Sequence, residues 1–279
     1  ISNEMIKSSM HILCPAFIKL FNIILQSGIF PESWSLSIIT PIFKSGSNSK
    51  PENYRGICVS SCLGKFFCTI LNTRLLKYYD KNNIIHPSQI GFRHNSRTND
   101  HIFTLRTLID KYVHGTKKGK IYACFIDFKK AFDSIWHSGL LYKLLKVGIG
   151  NNFYNIIKDM YSKTRCNVKL GIHCTNTFDY KRGVRQGCVL SPALFNLYLN
   201  ELPQILEHSN VDPFVLPNGT KLSCLLYADD LVLLSHSQQG LQCALNKLAE
   251  FCNTWKMNIN LKKTKVMIFQ KTPRKSCNP

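Results

Sequence analysis

The run Leu225-Leu226-Tyr227-Ala228-Asp229-Asp230-Leu231-Val232-Leu233-Leu234 sets two adjacent carboxylates inside an otherwise apolar stretch of strand character. Short apolar segments on either side of a tight break predict a β-hairpin with Asp229 and Asp230 at its tip. Like charges side by side in apolar surroundings are costly, and the usual ways of tolerating them are a shared proton or a bound cation. A divalent cation is the favoured reading, because one or two carboxylates are what Mg²⁺ takes when substrate phosphates complete its octahedron. A plain structural turn is the competing reading, and the pair alone does not separate the two.

A second apolar run, Ile121 to Phe128, stays uncharged until Asp127. Two-residue alternation puts Asp127 on the face of Ala123 and Phe125, opposite Cys124 and Ile126, so it points at the hairpin tip if the two strands are neighbours. Three carboxylates gathered in this way have the arrangement of a two-metal phosphoryl-transfer site.

The 279 residues carry a formal net charge of +20. Such an excess favours attraction to a polyanion, nucleic acid above all, over a merely solvated basic surface. Length and apolar fraction fit one large globular domain or two small ones. The 12 cysteines are scattered singly. Cys68, Cys124, Cys224 and Cys243 lie in apolar segments and read as buried thiols of a reducing, intracellular compartment. No C-x-x-C pair is present, and His94 and His101 have no cysteine pair nearby, which speaks against zinc. No apolar run is read as membrane-spanning, the first residues lack a signal pattern, and no membrane partner is expected. The start at Ile1 suggests a piece of something longer.

Apolar spacing predicts helices over residues 3 to about 26, 63–79, 98–113, 137–147, 151–162, 191–205 and 241–255, with Pro15 expected to kink or split the first. Strands are expected at 38–43, 121–128, 166–170, 177–180 and 266–269. Ser45–Asn53, with Lys44, Lys50 and Arg55 around it, reads as a mobile basic loop, and Gly115–Lys120 as a linker. Ser191 with Pro192 signals a helix start. Asn218-Gly219 signals a type I′ turn joining 213–216 to the strand that runs into Tyr227.

Phe125-Ile126-Asp127-Phe128-Lys129-Lys130-Ala131-Phe132-Asp133, Arg182-Gly183-Val184-Arg185-Gln186-Gly187-Cys188-Val189-Leu190-Ser191-Pro192 and Tyr227-Ala228-Asp229-Asp230 resemble motifs A, B and C of a reverse transcriptase, in the same order and spacing. Gly28–Trp34, Asn53–Ile57 and Gln89–Arg93 are similar to further motifs of the non-LTR, LINE-type retrotransposon enzymes. The likeness covers nearly the whole chain. It implies an α+β right-hand polymerase fold with fingers over 1–120, palm over 121–272, and a disordered tail at 273–279 where the thumb, largely absent, would begin. It implies an RNA-directed DNA polymerase that adds dNTPs to a primer 3′-hydroxyl with two Mg²⁺ ions, Mn²⁺ being an alternative. RNA template, DNA primer and the rest of a retroelement polyprotein, including endonuclease and thumb, would be the partners. The setting would be intracellular, in nucleus or cytoplasm.

The same resemblance suggests roles for single residues. Asp127 and Asp229 would be metal ligands, with Asp230 less direct and the Phe128 carbonyl an additional ligand. Asp133, past the strand, is read as a cap for the next helix. Phe132 would lie beneath the incoming sugar and exclude a 2′-hydroxyl, with a core aromatic as the alternative. Gln186 and Gly187 would meet the incoming nucleotide, and Arg185 would either join them or be a solvent-exposed charge. Arg55 and Lys44 would grip the triphosphate. Gly56 replaces the family's usual proline and is expected to loosen that loop. Lys263 would protonate the leaving pyrophosphate, or be a surface lysine. Tyr227, Phe92 and Arg93 would border primer and template, with core roles open for both aromatics. A non-catalytic nucleic-acid-binding remnant and a group II intron maturase-like or telomerase-like polymerase are the rival readings.

Overall fold

The computed structural model describes residues 2–115 and 119–271. In chain order the elements are α1 (Asn3–Ser27), β1 (Leu36–Phe43), β2 (Tyr54–Val59), α2 (Cys62–Lys81), α3 (Thr98–Ile109), β3 (Ile121–Ile126), α4 (His137–Lys146) and α5 (Asn151–Ser162). There follow β4 (Arg165–Leu170), β5 (His173–Cys174), β6 (Phe178–Asp179), α6 (Ser191–Leu199), α7 (Glu201–Glu207), β7 (Phe214–Val215), β8 (Lys221–Leu222), β9 (Cys224–Tyr227), β10 (Asp230–Ser235), α8 (Gln238–Thr254) and β11 (Lys265–Phe269). The chain divides into two compact units, Ile1–Ile84 with Phe132–Tyr198, and Ile85–Ala131 with Leu199–Pro279. This is a different partition from a single cut at residue 120, because each unit is built from two separate stretches of chain. The expected tail at 273–279 lies outside the described residues.

In the first unit β1 pairs antiparallel with β2 and parallel with β4, giving the order β2-β1-β4-β5, with β6 also on β4. Strand β2 was not expected. Gly56 stands inside it opposite Pro41, where a Cβ would come within 2.9 Å of Ile39 Cγ2. Close packing against β1, rather than a loosened loop, is what the missing side chain provides. Helix α1 starts at the Ser2 cap, runs unbroken through Pro15 and stops at Gly28, whose φ of 71° is left-handed. Its Phe21 packs against Trp34, Phe66 and Phe67, each within 6.3 Å between ring centroids. Contrary to expectation, α1 is long and apolar enough to cross a membrane by length and composition. The apolar residues on its outer side, Met5, Ile12, Ile18 and Ile23, raise its hydropathy although Ile6, Phe21 and Ile24 already serve the fold.

In the second unit the sheet has the order β11-β3-β10-β9, antiparallel throughout. Helix α8 packs on β10 and β3. Ile121, Ala123, Leu225 and Leu234 join Leu108, Tyr112 and Val113 in one buried apolar cluster, with Phe125 and Val232 packed at its margin. The helix expected over 191–205 breaks into α6 and α7 at Asn200. Pro203 explains the break, since it has no N–H for the Leu199 carbonyl one turn earlier. Asn218-Gly219 joins β7 to a separate short β8 rather than to β9, and Gly219 has positive φ (82°) whereas Asn218 does not, so the turn is not type I′.

Candidate active site

The strand register places the carboxylates. Strand β10 pairs with β3 up to Leu231 opposite Ile126, so the same register, one step on, sets Asp127 beside Asp230. Tyr227 pairs with Asp230 across the hairpin, and Ala228 and Asp229 form the turn. Asp229 thus sits at the tip, while Asp230 is already the first residue of β10. Burial, then the charges of Asp229 and Asp127, hold the Asp230 carboxyl above its ordinary value.

Asp127 is held from the segment that precedes β11. Asn260 Nδ2 donates to Asp127 Oδ2 at 2.8 Å, the Asn260 N–H donates to the Asp127 carbonyl at 2.7 Å, and the Asp127 N–H donates to Thr264 Oγ1 at 3.3 Å. Phe128 and Ile259 form a bridge, and the Lys129 N–H donates to the Asn258 carbonyl at 2.8 Å. Neither Asn260 nor Thr264 was singled out from the sequence. Their place in an Asn-x-x-x-Thr loop just before an apolar strand was the available signal.

The donor set suits a hard divalent ion: carboxylate oxygens at a strand end, with the Asp230 carboxyl raised by burial and then by the charges of Asp229 and Asp127. Among the described residues no three His, Cys, Asp or Glu side chains are drawn into a closed ligand cluster.

Other expected residues of this unit separate by exposure. Phe92 is 50% exposed at a φ of 58°, which removes the core alternative for it, and Arg93 and Lys263 are exposed as well. Tyr227 is half-buried. Phe128 is buried, at 5% exposure.

The remaining residues belong to the first unit. Arg55 is exposed on β2 opposite Ile42, and Lys44 is exposed just past β1, its N–H donating to the Asn53 carbonyl. Phe132, half-buried, stacks on Phe195 with ring centroids 4.4 Å apart and planes 11° apart. Asp133 does not cap α4, whose N-cap position is taken by Trp136; instead Asp133 Oδ1 accepts from Gln186 Nε2 at 2.8 Å. The Gln186 carbonyl in turn accepts from the Cys58 N–H at 2.8 Å, and Gly187 follows at a φ of 105° with the Cys58 carbonyl 2.9 Å from where a Cβ would stand. Arg185 is not a surface charge. It is 2% exposed, its Nε has no hydrogen-bond partner among the described residues, and the guanidinium lies 6.0 Å from the Phe30 ring centroid. Ser191 opens α6 and donates its hydroxyl to the Arg185 carbonyl at 2.8 Å, tying the loop to the helix. The cysteines among the described residues are all free; Cys14 and Cys174 are exposed and Cys243 only half-buried.

Comparison with known proteins connects these features. Residues 42–276 match the family described as reverse transcriptase (RNA-dependent DNA polymerase). The chain is 31% identical over 254 residues to a probable RNA-directed DNA polymerase from transposon BS of Drosophila melanogaster, covering 88% of this chain and 27% of that protein. It is 28% identical over 253 residues to the RNA-directed DNA polymerase from mobile element jockey of the same fly, covering 88% and 26%. It is 31% identical over 247 residues to the Pol polyprotein of the type-1 retrotransposable element R2 of Popillia japonica, covering 86% and 33%. The chain thus spans about a quarter to a third of these relatives. Among solved structures, apo telomerase from Candida tropicalis aligns over 92% of this chain and 49% of its own at a TM-score of 0.62 and 15% identity, a likeness of fold alone. With more than four-fifths of its residues matched to the family, and with relatives in non-LTR retrotransposons, this α+β chain of right-hand polymerase fold belongs to the reverse transcriptase family.

Proposed function

We propose that the chain is the fingers and palm part of an RNA-directed DNA polymerase of a LINE-type element, adding dNTPs to the 3′-hydroxyl of a DNA primer on an RNA template. The observation that carries this reading is the meeting of β3 with the β9–β10 hairpin, which brings Asp127 next to Asp230 and one residue from Asp229. Asp127 and Asp229 would hold two Mg²⁺ ions, or Mn²⁺, with Asp230 and the Phe128 carbonyl as further ligands. When bound, such ions stabilise charge on the transferring phosphorus and favour ionisation of the attacking hydroxyl.

The protein's own part is placement. Asn260 fixes one oxygen of Asp127 and so sets how the carboxylate presents itself. Lys263, exposed on the same segment, would carry a proton towards the leaving pyrophosphate. In the first unit, Arg55 and Lys44 offer exposed cations for phosphate, Gln186 and Gly187 offer a loop whose backbone a nucleotide can approach, and Phe132 would exclude a 2′-hydroxyl. Phe92, Arg93 and Tyr227 would border primer and template. The charge of +20 supports a nucleic-acid partner, and the singly scattered thiols support an intracellular place of work. The activity would be exercised within a longer polyprotein that also supplies thumb and endonuclease.

Incubating the chain, extended through a thumb, with a DNA primer annealed to RNA, dNTPs and Mg²⁺ should lengthen the primer, and EDTA should stop it. A folded, RNA-binding protein that leaves the primer untouched would support the non-catalytic reading instead.

A further inference from the structure

We propose that Gln89 is a positioning residue for the carboxylate turn: its side-chain amide holds both backbone groups of Ala228 and thereby sets the direction in which Asp229 leaves the hairpin. Gln89 is 1% exposed. Its Oε1 accepts the N–H of Ala228 at 2.9 Å and that of Gly91 at 2.9 Å, and its Nε2 donates to the Ala228 carbonyl at 3.1 Å. Through these three bonds a buried side chain is satisfied wholly by backbone.

Ala228 needs such a hold. Its φ of 56° is left-handed, a region that alanine rarely enters because its Cβ crowds the carbonyl and its side chain offers no compensating hydrogen bond. The surroundings therefore impose this conformation. Ala228 immediately precedes Asp229, so a change in its backbone would swing the carboxylate away from Asp127.

The rest of the segment is fitted to the same task. Gln89 lies parallel to Leu226 of β9; the Leu226 N–H donates to the Ser88 carbonyl at 2.9 Å, and the Leu226 carbonyl accepts from the Ile90 N–H at 3.0 Å and lies 3.0 Å from His101 Nε2. At Gly91 a Cβ would stand 2.1 Å from the Ala228 nitrogen, so a side chain there would push the turn away. Backbone pairing seats the segment against β9, and the Gln89 amide reaches beyond it to the turn. An amide suits the position because one planar group supplies both the acceptor and the donor that Ala228 requires. A glutamate lacks the donor, and a methionine of similar length lacks both.

The inference rests on the proposed role of Asp229 as a metal ligand only for its consequence; the clamp itself is a matter of geometry. Amide exchange followed by NMR on the whole chain tests it first without mutation. The Gln89 side-chain amide proton bonded to the Ala228 carbonyl should exchange at least tenfold more slowly than the side-chain amides of exposed Asn and Gln residues, and exchange at their rate would overturn the proposal. In Gln89→Met the Ala228 and Gly91 amides should exchange at least tenfold faster than in the parent, while the Leu226 amide, held by Ser88, keeps its protection. Mn²⁺, titrated alone and followed by its free-ion EPR signal, should bind at least tenfold more weakly to Gln89→Met. A lower melting temperature with unchanged Ala228 exchange would mark Gln89 as a packing residue and sink the idea. Asp229→Asn run alongside separates the two claims: if it leaves Mn²⁺ affinity intact the metal reading fails, and the exchange results alone decide the clamp.

Discussion

Asn260 donates its side-chain amide to Asp127 across 133 residues of sequence, at 2.8 Å. A neutral donor on one oxygen lowers the freedom of the carboxylate without cancelling its charge. Asn260→Ala should therefore raise the Mg²⁺ concentration needed for half-maximal primer extension by ~10–100-fold, the usual effect of removing a partner of a ligand. Melting temperature should change little. An unchanged Mg²⁺ dependence would show that the bond orients nothing.

The raised Asp230 carboxyl gives a stability prediction with a definite sign. A folded value above the ordinary 3.8 means that the protonated form is favoured in the folded state, so the contribution is fully present below that value and is lost as pH rises through the folded one. In EDTA at neutral pH, Asp230→Asn should melt higher than the parent, and the gap should close on acidification towards pH ~4. Equal melting temperatures across that range would mean that the like charges are already compensated.

Much of this site was legible because the strands obey two-residue alternation: Asp127, Asp229 and Asp230 are charges where the pattern has no place for them. The residues that support them were not. Asn260, Thr264 and Gln89 are polar loop residues, and nothing in local spacing tells which carboxylate or turn, 130 or more positions away, such a residue will meet. Strand β2 escaped because Gly56 and Arg55 break its apolar texture; pairing with β1, a tertiary effect, creates it. The surface alternative for Arg185 falls; it stood open in the sequence because an arginine in a glycine-flanked loop gives no local sign that its side chain is buried beside the Phe30 ring. Pro15 did not split α1, since a helix packed along one face keeps its course through a single lost hydrogen bond.

Phe132 stacks on Phe195 yet remains half-exposed, which suits a ring with one face in the core and one edge open to a ligand. Phe132→Val, in a chain extended through the thumb, should raise the use of rNTPs relative to dNTPs by roughly tenfold or more. If the ratio stays put while the protein remains folded, the ring is only part of the core.

Binding of primed RNA should weaken steeply between low and physiological salt, because the +20 charge acts by displacing counterions from phosphates. Affinity measured by fluorescence anisotropy should depend little on base sequence. A flat salt dependence would refute this use of the charge.

Primer extension by Asp127→Asn and Asp229→Asn, scored beside RNA affinity and melting in EDTA, tests the central claim most directly. Asparagine keeps the shape of the side chain and removes the charge that Mg²⁺ requires, so each variant should lose extension by at least ~10³-fold while RNA binding is kept and the melting temperature is unchanged or raised. Extension that survives either substitution, or a fold that collapses with it, would contradict the account and leave the Tyr227–Asp230 hairpin a structural turn.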